Sequence, residues 1–116
     1  MGQTVVTVTI HGGRGSTQVE TLADTAATFT KIPRSVAREL GLEDIYETTV
    51  ELGDGRTVTR RLALADVQIE NVRRPVLVAI AEDGERPLLG YTALETLGFK
   101  VNPVTHRLEK TSAIEY

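Results

Sequence analysis

The feature that most constrains the fold is a repeated alternation of short β-prone runs with glycine- or proline-containing turns. Runs rich in β-branched residues, or alternating polar with apolar residues, favour β-strands because successive side chains point to opposite faces of a strand. Only two segments, after Pro33 and at 92–97, have the spacing of short helices. The predicted strands cover 3–10, 17–23, 28–32, 46–52, 56–64, 67–69, 76–81, 99–101 and 107–110, with a turn at 71–75. The sequence therefore predicts an all-β fold with one or two short helices.

The two helical segments also indicate an internal repeat. The first ends in Glu39-Leu40-Gly41-Leu42 and the second in Thr96-Leu97-Gly98-Phe99, so each places a large apolar residue after a helix-stopping glycine. Each also follows a hairpin, a strand and a small-residue loop. In the second helix, Thr92 and Glu95 have the spacing of a capping box. We expect two similar halves related by a pseudo-twofold axis.

Size and composition exclude several classes of protein. A chain of 116 residues predicts one domain, 1–116, able to fold around its own core. The net charge of −3 argues against a nucleic-acid partner, and no apolar run approaches the roughly 20 residues of a membrane span. Without a secretory signal pattern, a cytoplasmic location is expected.

No motif in the chain predicts a cofactor or a metal. The chain has no cysteine, and its two histidines are far apart in the sequence and are both expected in turns. It also has no metalloprotease, serine-hydrolase or dinucleotide-binding signature. The charged clusters are expected at the protein surface. Arg60-Arg61 and Arg73-Arg74 are expected at solvated strand ends, and the carboxylates of turn 82–85 are expected to be solvated.

The stretch Leu22-Ala23-Asp24-Thr25-Ala26-Ala27-Thr28-Phe29-Thr30 places one acid between apolar and small residues. A carboxylate in such surroundings is poorly solvated and finds a partner, changes its pKa or takes part in chemistry. Two interpretations stay open. Asp24 either accepts hydrogen bonds from the amides of its own turn, as in an Asx-turn, or acts as a catalytic acid.

Apolar-Asp-Thr-small-Ala-Thr before a strand resembles the active-site stretch of the retroviral-type aspartic peptidases, the retropepsins. Three further features have the order and spacing found in that family. The polar hairpin 51–59 resembles the flap, Leu88-Leu89-Gly90 resembles the element beside the catalytic loop, and the helix 92–97 resembles the C-terminal helix. Together they cover residues 3 to 110. The resemblance implies a closed or partly open β-barrel carrying a flap hairpin.

The resemblance also implies an aspartic endopeptidase that works as a homodimer on a peptide or protein substrate. Retropepsins carry one catalytic aspartate per chain, and Asp24 is the only aspartate in this sequence that threonine or serine follows. Its two copies would activate a water molecule across a twofold axis, with Thr25 bonding across that axis. The implied catalytic loop is Asp24, Thr25 and Ala26. The implied substrate-binding residues are Ala27, Thr28, Gly53, Asp54, Gly55, Leu88, Leu89 and Gly90.

Ala26 departs from the family, which has glycine at that position. If the position requires a positive φ, or close approach of another backbone, a Cβ there costs on the order of 1 kcal/mol or more. The alternative function is a dimeric peptide-binding or scaffolding module on the same fold, with weak catalysis or none.

Overall fold

The computed structural model describes residues 3–115, which form nine strands and two short helices. None of the helices in this range is long and apolar enough to cross a membrane. The elements are β1 (Val5–Gly12), β2 (Gly15–Asp24), β3 (Thr30–Pro33), α1 (Arg34–Leu40), β4 (Asp44–Glu51), β5 (Thr57–Ile69), β6 (Val72–Ala81), β7 (Leu88–Gly90), α2 (Tyr91–Leu97), β8 (Phe99–Asn102) and β9 (Arg107–Lys110).

A closed barrel forms the centre of the structure. Its strands follow the order β1-β2-β7-β3-β6-β5, and β5 pairs back with β1 through the register Thr9–Gln68 to His11–Asp66. Strand β4 pairs with β5 and extends beyond the barrel, and β8 and β9 form a separate hairpin. The prediction of an all-β barrel with two short helices is confirmed.

Alternating side chains fill the barrel. In β1, Val6, Val8 and Ile10 are buried, whereas the residues between them face outward. Ile32 of β3 and Leu89 of β7 are fully buried in the same core. Each such side chain stabilises the fold by about 1.5–3 kcal/mol relative to an exposed one. Burial of these side chains therefore determines which residues of β3 and β7 point away from the core.

The strand pairing confirms the predicted pseudo-twofold relation between two halves. A twofold axis would exchange β1 with β5, β2 with β6 and β3 with β7. Under this exchange the β2–β7 pair becomes the β6–β3 pair, and both pairs are parallel. The pairs β1–β5 and β3–β7 map onto themselves, and both are antiparallel, as a twofold axis requires. Each half also ends in a helix stopped by a glycine with positive φ, 67° at Gly41 and 80° at Gly98.

The turn between β5 and β6 is shorter than the sequence predicts. Only Glu70 and Asn71 lie outside the two strands, so the predicted turn at 71–75 is wrong beyond its first residue. Pro75 lies inside β6 and pairs with Asp66. Strand β3 pairs only with residues 78–81 of β6. A proline is therefore tolerated at position 75, because no strand pairs with Pro75 on the side of β6 opposite β5 and no backbone N–H is needed there.

Candidate active site

Asp24 is the last residue of β2 and begins the loop that leads to β3. Its Oδ1 atom accepts a hydrogen bond from the Ala26 amide at 3.0 Å, and its carbonyl accepts one from the Ala27 amide at 3.1 Å. These bonds form the Asx-turn expected from one interpretation of the sequence. Oδ2 accepts no hydrogen bond from any residue in 3–115, and the side chain is half-buried. The turn thus holds the carboxyl group in place and leaves one oxygen available.

Strand β7 fixes the position of Asp24 within the sheet. It runs parallel to β2 in the register Leu22–Leu88, Ala23–Leu89 and Asp24–Gly90. On its other side it pairs antiparallel with β3, where Lys31 is opposite Leu88. Because β7 lies between β2 and β3, the loop that joins those two strands passes over its end. The Leu88-Leu89-Gly90 element therefore lies beside the Asp24 loop.

The start of α2 provides a second attachment for this loop. The Tyr91 amide donates to the Ala27 carbonyl at 2.8 Å, and the Thr92 amide donates to the Thr28 carbonyl at 3.4 Å. The Thr92 hydroxyl also donates to the Thr28 carbonyl, at 2.5 Å. The predicted capping box between Thr92 and Glu95 is wrong, because α2 begins one residue earlier without a side-chain cap. The Thr92 hydroxyl holds the loop instead.

Position 90 requires glycine because the backbone of Phe29 and Thr30 approaches it closely, and not because of its own backbone conformation. Its amide donates a hydrogen bond to the buried Thr30 hydroxyl at 3.1 Å. A Cβ on Gly90 would lie 2.5 Å from the Phe29 carbonyl carbon and 2.8 Å from the Thr30 nitrogen. Neither neighbour is the end of a flexible side chain, so the loop could not move aside without breaking its pairing. The glycine sets how closely β7 approaches the loop.

Ala26 has no backbone strain of the kind that a glycine would relieve. Within residues 3–115, the only residues other than glycine with positive φ are Glu70 and His106. The first of the two reasons for requiring glycine at position 26 therefore does not apply. Ala26 is exposed in the single chain, so the reason that remains is close approach of another backbone.

A cavity of about 460 Å³ separates the Asp24 loop from the hairpin of β4 and β5. The loop supplies one wall, and Glu51 and Gly53 belong to the opposite wall. Between these walls lie residues of β3, β5, β6 and β7, namely Lys31, Arg60, Ala79 and Leu88, which we call the floor of the cavity. The lining residues are Asp24, Ala26, Ala27, Thr28, Phe29, Lys31, Thr49, Val50, Glu51, Leu52, Gly53, Arg60, Ala79 and Leu88. The volume lies in the range of small-molecule and peptide side-chain pockets.

The cavity includes some of the residues that the sequence resemblance singled out and omits others. Four of the expected substrate-binding residues line it: Ala27, Thr28, Gly53 and Leu88. Leu89 is fully buried in the core and Gly90 is buried against the Asp24 loop, so both pack beneath the loop and do not line the cavity. Thr25 is exposed outside the cavity.

Asp54 and Gly55 lie at the exposed end of the hairpin, outside the cavity. The Asp54 carboxylate accepts hydrogen bonds from the Arg56 amide at 3.0 Å and from its Nε at 2.7 Å. The bond from the amide is the main reason why the pKa of Asp54 is below its ordinary value. A bond from the Leu52 amide to the Arg56 carbonyl, at 2.7 Å, closes the same turn. In this conformation Asp54 organises the hairpin end and does not reach the cavity.

Two charged side chains that line the cavity, Lys31 and Arg60, interact with a third, Glu85, which local sequence patterns did not connect to them. Arg60 is a buried residue near the start of β5, so the expectation that it is solvated is wrong. Its guanidinium donates to Glu85 at 2.8 Å and 2.5 Å, and Lys31 Nζ lies 3.7 Å from Glu85 Oε1. Hydrogen bonds from Arg60 lower the pKa of Glu85 to about 2, against 4.5 ordinarily. Glu85 is therefore a partner in an ion-pair network, and the expectation of simple solvation is wrong for it.

The other carboxylates of the same turn also have partners. Glu82 forms an ion pair with Arg34, and Asp83 accepts a hydrogen bond from the Ser35 amide at 2.9 Å, at the start of α1. That bond is the main reason why the pKa of Asp83 is lowered. Within residues 3–115 no three histidine, cysteine or acidic side chains lie close enough together to hold a metal ion.

Comparison with known families gives a match over most of the chain. The family described as aspartyl protease matches residues 6–93, which include the Asp24 loop, the hairpin of β4 and β5, and Leu88-Leu89-Gly90. No curated protein matches the chain. The barrel with its two short helices is consistent with the retropepsin-like fold.

Proposed function

Because the chain belongs to the aspartyl protease family, we propose that it is a homodimeric aspartic endopeptidase with Asp24 as its catalytic residue. The observation that carries this proposal is the setting of the Asp24 carboxyl group. It lies at the wall of the cavity, its Oδ1 is held by the Ala26 amide, and its Oδ2 accepts no hydrogen bond from residues 3–115. A fixed carboxyl with one available oxygen suits an acid or base that must reach a substrate.

One chain supplies one aspartate, and the proposed chemistry needs two. The two Asp24 carboxyls of a symmetric dimer would share a single proton, as in aspartic proteases generally, because like charges about 3 Å apart cannot both ionise. The ionised carboxyl takes a proton from water, and the resulting nucleophile attacks the peptide carbonyl carbon. The protonated carboxyl donates to the developing oxyanion. The carboxyl that took the proton from water then donates it to the amide nitrogen, the C–N bond of the tetrahedral intermediate breaks, and the products are a carboxylic acid and an amine, with no covalent enzyme intermediate.

Thr25 supports this arrangement because it is exposed next to Asp24 and outside the cavity. In a symmetric dimer, the same surface from both chains meets at the axis, so Thr25 is well placed to bond across it. We assign Thr25 to holding the two Asp24 loops in register.

The hairpin of β4 and β5 is assigned the role of the flap. Its residues from Thr49 to Gly53 face the Asp24 loop across the cavity. Its end is exposed, and among residues 3–115 the only strand that pairs with β4 is β5. Such a hairpin can bend toward an extended peptide, donate backbone hydrogen bonds to it and exclude water from the reacting bond.

The second candidate function is a dimeric peptide-binding module with weak catalysis or none. It is favoured by one observation, the exposed methyl group of Ala26 beside Asp24, where the family has glycine. If the two loops meet closely in the dimer, that methyl would separate the carboxyls and impair proton sharing. Peptide binding in the cavity would be unaffected.

Cleavage of a mixed peptide library between pH 4 and 7, read by mass spectrometry, tests both candidates. The matched control is Asp24→Asn, because an asparagine Oδ1 still accepts the Ala26 amide and preserves the turn. We expect the wild type to cleave and Asp24→Asn to lose at least a thousandfold in rate, on the order of the loss of an essential acid–base group. Cleavage that persists in Asp24→Asn contradicts the proposal. An inert wild type together with an active Ala26→Gly variant favours the binding module.

A further inference from the structure

The floor of the cavity contains a lysine with uncommitted hydrogen-bond donors. In β3 the alternation of side chains buries Thr30 and turns Lys31 to the opposite face. Lys31 is the direct neighbour of Ala79 in β6 and of Leu88 in β7. All three line the cavity that Asp24 also lines. Lys31 is thus flanked by apolar side chains inside the proposed substrate site.

The ion-pair network beside Lys31 has more positive charge than negative. The Glu85 carboxylate accepts both guanidinium bonds from Arg60 and a third bond from the Glu82 amide at 3.1 Å. Lys31 Nζ is 3.7 Å from this carboxylate, which is within ion-pair range and beyond hydrogen-bond distance. Two cations therefore share one anion, and the nearer and better-aligned cation is Arg60.

Lys31 retains the capacity to bind a second anion. An ammonium group has three donors, and within residues 3–115 Nζ donates no hydrogen bond. Its side chain is only 19% exposed, so most of its stem is enclosed while Nζ still reaches solvent, from which an anion can approach it. Arg60, by contrast, already has a bidentate carboxylate. An incoming carboxylate would gain a charge-assisted bond in a partly apolar setting, where such bonds are strong.

On these grounds, which rest on the proposed function, we propose that Lys31 binds an acidic side chain of the peptide substrate and sets a preference for glutamate or aspartate near the cleaved bond. Asp24 and Glu51 also line the cavity and repel such a side chain. Glu51 is exposed on the hairpin, where solvent screens its charge, whereas Lys31 is largely enclosed. Asp24 and Glu51 belong to the two walls of the cavity, so Lys31 favours an acidic side chain that reaches the floor between them.

Paired peptides test this specificity. Starting from any peptide that the library shows to be cleaved, each position flanking the bond is changed to glutamate or to glutamine, which have nearly the same shape. At one position we expect kcat/KM to be about tenfold higher for glutamate, the effect of one charge-assisted hydrogen bond. Lys31→Met should bring the ratio to about one, and Lys31→Arg should keep it above one.

The control variant is Lys100→Met, in which an exposed lysine of β8 outside the cavity is replaced. It should leave the ratio unchanged. A wild type that cleaves both peptides of every pair equally, or a ratio that Lys31→Met does not alter, overturns the inference and leaves the proposed function standing.

Binding separates the two proposals if the wild type does not cleave. Fluorescence anisotropy of labelled glutamate and glutamine peptides on Asp24→Asn reads the preference without chemistry. An affinity about tenfold higher for a glutamate peptide, lost in the double variant with Lys31→Met, supports the inference even when the endopeptidase proposal fails. Equal affinities, or no binding of any peptide, overturn it.

Discussion

Asp24 lies directly opposite Gly90 in the parallel pairing of β2 with β7. The two residues belong to different halves of the pseudo-symmetric barrel, so the loop that presents the candidate acid is supported by the half that does not contain it. Gly90 approaches the end of that loop so closely that no side chain fits between them. The position of the Asp24 carboxyl group therefore depends on a residue 66 places later in the chain.

Replacing Gly90 with alanine should destabilise the fold strongly. The new methyl group would lie 2.5 Å from the Phe29 backbone and would displace the loop, a loss of about 3 kcal/mol in the free energy of unfolding. Urea unfolding measures this. Gly84→Ala is the matched control, because its Cβ would meet no atom within 4 Å, and its loss should stay below about 0.5 kcal/mol. Equal losses in the two variants would refute the close-approach argument.

Replacing Ala26 with glycine should lower stability slightly. Ala26 is not among the positive-φ residues of 3–115, so glycine relieves no strain and adds only freedom to the unfolded chain. We expect the free energy of unfolding to fall by roughly 0.5–1 kcal/mol. Thermal unfolding at a protein concentration low enough to prevent association gives the comparison. A variant more stable than the wild type under those conditions would show that the alanine backbone is strained.

Replacing Glu85 with glutamine should weaken the fold in a pH-dependent way. Because folding lowers the pKa of Glu85 from 4.5 to about 2, its ionised form stabilises the native state above pH 4.5, and this contribution disappears as pH falls toward 2. Since the side chain is 32% exposed, we expect a loss of about 2 kcal/mol at pH 7, less than the full shift implies. Urea unfolding at several pH values measures the difference between wild type and variant.

A matched control for that series is Glu109→Gln, which removes an exposed partner of Lys100 at 3.9 Å. Its effect should stay below about 0.5 kcal/mol. A Glu85→Gln loss that remains constant from pH 7 to pH 2 would contradict the assignment of that stability to the ionised carboxylate.

Local sequence patterns were sufficient for the all-β class and the internal repeat, whereas the barrel was implied by the family resemblance. The alternation in β1 and the glycine stops at Gly41 and Gly98 depend on short-range geometry, which a sequence displays directly. The Asx-turn at Asp24 was also accessible, because the acceptor and the Ala26 donor are two residues apart. These features needed no knowledge of distant contacts.

The charged network beside the cavity was not accessible in the same way. Arg60 and Glu85 are 25 residues apart, and Arg60 is in an arginine pair that resembles a solvated strand end. Likewise, Thr92 bonds to Thr28 across 64 residues rather than forming its predicted local cap. Burial of Arg60 and the floor position of Lys31 follow from strand order, and a single sequence does not specify which strands pair.

The central claim is that two Asp24 carboxyls, one from each chain, form the active site. Mixing wild type with Asp24→Asn at constant total concentration, after refolding the chains together, tests it most directly. If each site needs both aspartates, activity should fall with the square of the wild-type fraction, to roughly one-quarter in an equal mixture. Activity that falls in simple proportion, to roughly one-half, would show that one chain suffices and would contradict the account.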